Sequence, residues 1–563
     1  MNGVAAAPNR PDELVFLALG GVGEIGMNLS LYGYGGRWLM IDCGISFADD
    51  TLPGVELVMP DPVFIAERAE ELAGLVVTHA HEDHIGAIPY LWPRLKCPVY
   101  ATPFTAAVLR QKLVEAGLEH EVPITEVPMS GRFSVGPFEI ELITLTHSIP
   151  EPNAVVLRTP LGTVLHTGDW KFDPEPLIGP ISDMASLRRL GQEGVLAMIC
   201  DSTNALRPGS VGSEAEVRRS LMELVGRCRN RVVIACFASN VARLESAAKA
   251  AAAHDRHVGL VGRSLWRIEH AARETGYLKD TPPFLTDEEA GYLPRDKVLL
   301  LCTGSQGEPR SALARIAEDE HPEIALEPGD TAIFSSRVIP GNERAIGRLQ
   351  NALVKLGVEV ITEHDHLVHV SGHPAQEELL RMYQTVRPRI AVPVHGEARH
   401  LRAQARLAEE CQVAQAIVTR NGEVVKLAPG PAAVIGEVPT GRLVADGKVL
   451  LPAGGQALKH RQRMTFNGAA LASIVVDAEG RLAAPPQVTV RGLAEDDAGE
   501  NALELEQKVA AALAGLSPAE RADDAALREA ARIAVRRSLR ARHGKRPLTE
   551  VHVLRLAPAG RQT

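Results

Sequence analysis

The chain has 563 residues, with 60 Lys+Arg against 70 Asp+Glu and a formal net charge of −10. At roughly 100–200 residues per domain it holds several domains, and 45% hydrophobic with 23% charged residues excludes wholesale disorder. No run of about 18 apolar residues occurs, so no membrane-spanning helix is expected, and the acidic balance by itself argues against a nucleic-acid partner.

Residues 1–13 lack a basic stretch followed by an apolar one, so no secretory signal is expected. Residues 14–170 read as short apolar strands broken by Gly, Pro and Asp, among them 37–41, 72–78, 139–146 and 162–166. From about 185 to 360 strands and helices alternate: strand-like runs at 231–235, 258–261, 297–302 and 331–335 each precede a helical stretch, one of them 241–254. Such alternation predicts a mainly parallel sheet. Short strands return after 365, notably 390–394. Residues 429–462, rich in Gly, Pro and Ala, read as a linker. The last hundred residues read as a small α+β domain: strand 470–477, helices 501–514 and 523–542, and strand 550–556. Seven cysteines spaced far apart read as reduced cytosolic thiols, not as a disulfide framework.

The strongest chemical signal is His79-Ala-His81-Glu-Asp83-His84, directly after an apolar strand. Four imidazole and carboxylate groups at one strand end can converge on Zn²⁺ or Mn²⁺. Further candidates also follow apolar runs: Asp42, His147, Asp169 and His395. Two metals roughly 3.5–4 Å apart can share a hydroxide and clamp the oxygens of a phosphoryl or acyl centre. His79, His81 and His147 suit one metal; Asp83, His84 and His395 suit the second; Asp169 can join them. A bound water of lowered pKa would then be the nucleophile.

One motif points elsewhere. Gly21-Val22-Gly23-Glu24-Ile25-Gly26 fits the dinucleotide-binding pattern, but another strand follows it where that site needs a helix. A glycine-rich loop near the metal edge is the better reading.

The set Asp42, His79 to His84, His147 and Asp169 resembles the metallo-β-lactamase fold, an αββα sandwich with its metals on one edge. His81, where iron-binding relatives carry Glu, favours zinc. Fold alone does not give the substrate. The segments Asp201-Ser-Thr-Asn204, Phe237-Ala-Ser-Asn240, Gly262-Arg-Ser264, Cys302-Thr-Gly-Ser-Gln-Gly-Glu308, Pro340-Gly-Asn-Glu343, His369-Val-Ser-Gly-His373 and Pro393-Val-His-Gly-Glu397 together resemble the β-CASP nucleases, most closely the bacterial ribonuclease J family. Thr146-His147-Ser148-Ile149-Pro150 and His166-Thr-Gly-Asp-Trp170 also match, with Trp170 where the family more often has Phe.

The resemblance implies an α/β chain in five parts: a metallo-β-lactamase domain in two pieces (1–205 and 365–428), an inserted β-CASP α/β domain (206–364), a linker (429–462) and a small C-terminal α+β domain (463–563). It implies two Zn²⁺ per subunit, with Mn²⁺ or Mg²⁺ as alternatives in activity, on His79, His81, Asp83, His84, His147, Asp169 and His395. It implies catalytic roles for Asp83, Asp201 and His373: Asp201 would orient His373, which would protonate the leaving 3′-oxygen. The competing role for His373 is a phosphate contact, whose loss would chiefly raise KM. His369, Val370, Ser371, Gly372 and His373 would hold RNA near a 5′-monophosphate pocket, with Ser239, Asn240, Arg263 and Ser264 as further contacts.

The implied enzyme is a cytoplasmic 5′-to-3′ exoribonuclease on single-stranded 5′-monophosphate RNA, able also to cut internally, in RNA maturation and decay. It would be a homodimer or homotetramer through the C-terminal domain, open to partners in an RNA-degradation complex. A basic helix face around Arg532, Arg536, Arg537, Arg540, Arg542, Lys545 and Arg546 is a solvated helix end, an RNA contact or a subunit contact. A DNA-processing β-CASP nuclease, a small-molecule hydrolase and a non-catalytic RNA-binding subunit are the other readings. The inserted domain argues against the small-molecule hydrolase, and the complete ligand set against the non-catalytic subunit. Two bound divalent ions would reverse the local sign of charge, so the acidic total is compatible with a positive channel between the catalytic domains.

Overall fold

A computed structural model describes residues 10–49, 51–493 and 498–557. Contacts divide the chain into one unit of residues 1–46 and 58–443 and a second of residues 47–57 and 444–563.

The first unit is built on two mixed sheets. One has eight strands in the order Ala433–Glu437, Glu423–Ala428, Leu14–Gly20, Leu29–Tyr34, Arg37–Ile41, Leu72–Val76, Val99–Ala101 and Ile124–Glu126. The other has seven, in the order Arg132–Val135, Phe138–Thr144, Asn153–Thr159, Gly162–His166, Ala197–Asp201, Ile390–Val394 and Gln415–Ala416. Alternate residues of each sheet meet in a shared core. Leu14, Phe16, Ala18, Leu39 and Ile41 come from one sheet, and Ile140, Leu142, Val155, Leu157, Ile199 and Val392 from the other. That period of two is what a pleated strand dictates.

The opposite face of the second sheet, with Ile143, Val156, Met198 and Ala391, packs on Leu187, Leu190, Leu379, Met382 and Leu407 of three helices. Those helices are Met184–Glu193, Gln376–Val386 and Ala398–Glu410. On the outer face of the first sheet, Trp38 meets Phe64 of the helix Val63–Ala66 edge to face at 5.4 Å. The layers are therefore αββα.

The chain leaves the second sheet after Asp201 and returns to it at Ile390. Between lies a five-stranded sheet, all parallel, in the order His257–Val261, Val298–Cys302, Val232–Ala235, Thr331–Phe334 and Glu359–Ile361. Several of its helices start on side-chain caps: Ser213 forms a capping box with Glu216, and the Asn240 side chain accepts from Arg243 N at 2.9 Å.

The second unit has its own core. Strands Gln487–Arg491, Ala469–Val476 and Leu548–Arg555 form a three-stranded sheet. Ala472, Ile474 and Val476 of its central strand pack on Val509 and Leu513 of one helix and on Leu527, Ala531 and Val535 of another.

Residues 429–462 are not a plain linker. They contain strands Ala433–Glu437, Arg442–Asp446 and Val449–Pro452 and the start of the helix Gln456–Asn467. Ala433–Glu437 is an edge strand with mostly exposed residues, so it lacks the apolar alternation that marks a half-buried strand.

Candidate metal centre

Parallel strands deliver their carboxyl ends to one edge, the usual ligand side of such sheets. Here Arg37–Ile41 and Leu72–Val76 run parallel in one sheet. Gly162–His166, Ala197–Asp201 and Ile390–Val394 run parallel in the other. At or just beyond those ends are Asp42, His79, Asp169, Asp201 and His395. His147 joins them from the loop after Phe138–Thr144. A backbone bond from Lys171 N to Thr146 O at 2.8 Å ties that loop to the one carrying Asp169.

All seven residues expected as ligands fall into two overlapping groups, His79, His81, His147, Asp169 and Asp83, His84, Asp169, His395. A third group, Asp169, Asp201, His373 and His395, lies alongside. A tetrahedral zinc site with ligands about 2.1 Å from the ion has edges of about 3.4 Å. The observed separations scatter around that value. In the first group, His81 Nδ1 is 3.1 Å from His79 Nε2 and 3.0 Å from His147 Nε2. Asp169 Oδ2 is 4.0 and 3.9 Å from His79 and His147. In the second group, Asp83 Oδ2 is 3.6 Å from His84 and 3.1 Å from His395, and Asp169 Oδ2 is 3.2 Å from His84. That Asp169 oxygen is buried and without a hydrogen-bond partner. It lies 3.2 to 4.0 Å from the imidazoles of His84, His147 and His79 without a hydrogen bond, and a cation shared by the two groups would satisfy it.

The ring nitrogens turned away from the centre are held by other groups, which fixes the tautomers. His84 Nδ1 donates to Asp42 Oδ2 at 2.7 Å. The Thr78 hydroxyl donates to Asp42 at 2.9 Å and accepts from His79 Nδ1 at 3.0 Å. His147 Nδ1 donates to the Gly372 carbonyl at 2.6 Å. Asp42, a candidate by its place after an apolar run, therefore stands behind His84 and belongs to none of the clusters. Asp42 and His395 both adopt left-handed backbone, with φ of 61° and 52°, a conformation costing about 1–2 kcal/mol each. His395 N donates to Gly21 O at 2.7 Å, which brings the glycine-rich loop to the metal edge. A strand, Leu29–Tyr34, follows that loop, and no dinucleotide-binding helix does.

Electrostatics divides the cluster in two. Burial, reinforced by neighbouring imidazoles, holds His79 well below the usual histidine range, and burial does the same to His147 and takes His81 to about 4. These three present neutral lone pairs. Burial also disfavours charge on His84 and His395, but the carboxylates around them, Asp169 foremost, outweigh it and push both upward. Asp83 and Asp169 are driven down against burial by the same pairings.

His373 is placed as the sequence reading expects, with Nδ1 on Asp201 Oδ2 at 2.9 Å. Its side chain is 23% exposed while that of Asp201 is fully buried. Val370, Ser371 and Gly372 are buried. The Ser371 hydroxyl accepts from Asn204 and from His373 N, and the Gly372 carbonyl is taken by His147. Part of this segment therefore holds the metal edge itself. Ser239, Asn240, Arg263 and Ser264 lie at the carboxyl ends of inserted-domain strands, where Asn240 is occupied as a helix cap. Thr78, Asn204 and Thr203, whose hydroxyl reaches Asp201 and His395, also serve the site, although no role was expected of them individually. Thr78 has only its place before His79 at a strand end as a signal, whereas Thr203 and Asn204 lie in the segment 201–204 that carries the family resemblance.

Comparison with known proteins agrees with this architecture. Residues 37–187 match the beta-lactamase superfamily domain, 229–353 the ribonuclease J beta-CASP domain, 357–417 a Zn-dependent metallo-hydrolase RNA specificity domain and 456–556 the ribonuclease J C-terminal domain. Ribonuclease J of Sinorhizobium meliloti is 49% identical over 554 residues, covering 97% of this chain and 98% of that protein. The chain belongs to the ribonuclease J family. Ribonuclease J of Mycolicibacterium smegmatis is 43% identical over 493 residues, 87% of this chain and 88% of that one. A crystal structure of an Enterococcus faecalis protein of unknown function shares the fold at a TM-score of 0.52 and 15% identity, over 74% of this chain and all of that one. As a ribonuclease J family member the chain is a metal-dependent nuclease on a metallo-β-lactamase domain with an inserted β-CASP domain and a C-terminal domain. No helix among the described residues is long and apolar enough to cross a membrane.

Proposed function

We propose that this chain is a zinc-dependent 5′-to-3′ exoribonuclease acting on 5′-monophosphate RNA and able also to cut internally, in cytoplasmic RNA maturation and decay. The observation that carries the reading is the pair of tetrahedron-sized ligand groups sharing Asp169, whose buried Oδ2 makes no hydrogen bond. His79, His81, His147 and Asp169 would hold one ion, and Asp83, His84, His395 and Asp169 the other. Such a pair supplies Lewis acidity and an activated water at neutral pH.

The chain's own residues do the rest. Asp42, Thr78 and the Gly372 carbonyl aim the imidazoles. The Asp201 carboxylate beside His373, together with Asp169, outweighs the effect of burial and raises His373 above the usual histidine range. That shift favours the protonated form, which can give its proton to the leaving 3′-oxygen. The residues His369 to His373 with Ser239, Arg263 and Ser264 would hold the RNA. In this reading 1–205 and 365–428 form the catalytic domain, 206–364 covers it, and 463–563 joins subunits into dimers or tetramers and leaves room for partners in a degradation complex.

The test compares RNA carrying a 5′-monophosphate, RNA carrying a 5′-triphosphate, circular RNA and DNA of one sequence, with Zn²⁺ or Mn²⁺ added. The expected order is fast stepwise loss of the monophosphate RNA, slow internal cutting of the others and sparing of DNA. Asp83→Ala and His84→Ala should abolish all of it. Equal activity in those variants, or none in the parent protein, overturns the reading.

A further inference from the structure

Residues 335–337 of the inserted domain form a loop at the carboxyl end of the strand Thr331–Phe334 that reaches the catalytic edge. That loop, together with Arg243, grips the segment 368–373 at both ends. At the near end, the Ser335 hydroxyl and the buried guanidinium of Arg243 both donate to the Val368 carbonyl, each at 2.6 Å. At the far end the grip passes through one side chain. Arg337 Nη1 donates to Asn204 Oδ1 at 2.8 Å. The other half of the same amide, Asn204 Nδ2, donates to Ser371 Oγ at 2.8 Å and to the His373 carbonyl at 2.9 Å. Ser371 Oγ in turn accepts from His373 N at 3.2 Å.

The loop carrying Arg337 is itself fixed. Gln306, buried in the loop after the strand Val298–Cys302, donates to the Arg337 carbonyl at 2.8 Å and accepts from Ile339 N at 2.9 Å. Asn204 and Ser371 are buried, whereas Arg337 is exposed overall. A primary amide with its oxygen on one domain and its nitrogen on the other domain's catalytic loop is fixed in orientation, because only one flip satisfies both.

We propose that Arg337 is a positioning residue: through Asn204 it seats the backbone of His373, so that docking of the inserted domain sets the placement of the proton donor. This rests on the reading of His373 as that donor. Misplacement of a catalytic group by about 1 Å costs up to about 10²-fold in rate. Arg337→Ala should therefore lower kcat by about 10- to 100-fold on 5′-monophosphate RNA and leave KM within about twofold, since an interaction felt only in the transition state is lost. Arg337→Lys keeps a donor for Asn204 and should restore most of the loss.

Two measurements separate positioning from RNA binding and from a general structural role. In a His373→Ala background, Arg337→Ala should cost nothing further, because pairs acting through one group are not additive. In hydrogen–deuterium exchange without RNA, the peptide 368–376 should exchange faster in Arg337→Ala than in the parent, with 390–397 unchanged. A raised KM at unchanged kcat, a full second loss in the His373→Ala background, or unaltered exchange of 368–376 overturns the proposal. A parent protein that cleaves no RNA overturns the ribonuclease reading alone, and the exchange experiment still decides whether Arg337 positions the loop.

Discussion

Asp42 shows how much of a metal edge can rest on a side chain that is not a ligand. It accepts from Thr78 N at 2.8 Å and from His84 Nδ1 at 2.7 Å, and it does so from a left-handed backbone that Asn also tolerates. Asp42→Asn should thus keep the turn but lose the charge-assisted bond that aims His84. Loss of such a partner typically costs 10–100-fold in metal affinity or activity. Zinc titration should show one of two ions weakened by about that factor, with the fold intact by circular dichroism. His166 is a second buried case. The Tyr32 hydroxyl lies 2.9 Å from its Nδ1, and burial lowers it to about 4. The unfolded chain binds this proton near pH 6.5 and the folded one near 4, so the group's stabilising contribution is complete above 6.5 and is lost as pH falls toward 4. The melting temperature should decline over that window, and His166→Asn should flatten the decline.

The segment 368–373 is where element-level geometry carries most meaning. A Cβ on Gly372 would lie 2.6 Å from both Cε1 and Nδ1 of His147. Gly372→Ala must then push the imidazole or the loop aside and break the bond to the Gly372 carbonyl. It should weaken metal binding and reduce turnover by at least tenfold, with a melting temperature near that of the parent when both are metal-free. A variant with normal metal affinity would show that the loop yields freely. The sequence made the ends of the buried strands legible, because apolar runs stop where polar ligands start: 162–166 and 390–394 are strands to the residue. It did not reveal that Gly372 serves His147 or that Asp42 serves His84, since partners 225 and 42 residues apart leave no local pattern. The strand Ala433–Glu437 was hidden for the opposite reason. It lies on a sheet edge, where exposure removes the apolar signal.

At the scale of the whole molecule, a net charge of −10 gives RNA no general attraction, so affinity must come from a local field. The candidate metal edge lies wholly within the unit of residues 1–46 and 58–443. There Asp83, Asp169 and Asp201 are ionised against His84, His373 and His395, which the same carboxylates push toward charge. Two divalent ions would bring four positive charges against three carboxylates while displacing any protons on His84 and His395, and would leave the edge net positive. Metal loading should therefore tighten RNA binding as well as permit cleavage. With His373→Ala protein to suppress turnover, anisotropy of a labelled single strand should show weaker binding after chelation. It should also show a shallower salt dependence between about 0.05 and 0.2 M, because each phosphate neutralised contributes a slope of about −0.7 for single strands. Identical affinity and slope with and without the ions would instead assign RNA attraction to arginines and lysines outside the metal edge, and the acidic total would then have to be offset by a basic surface elsewhere on the chain.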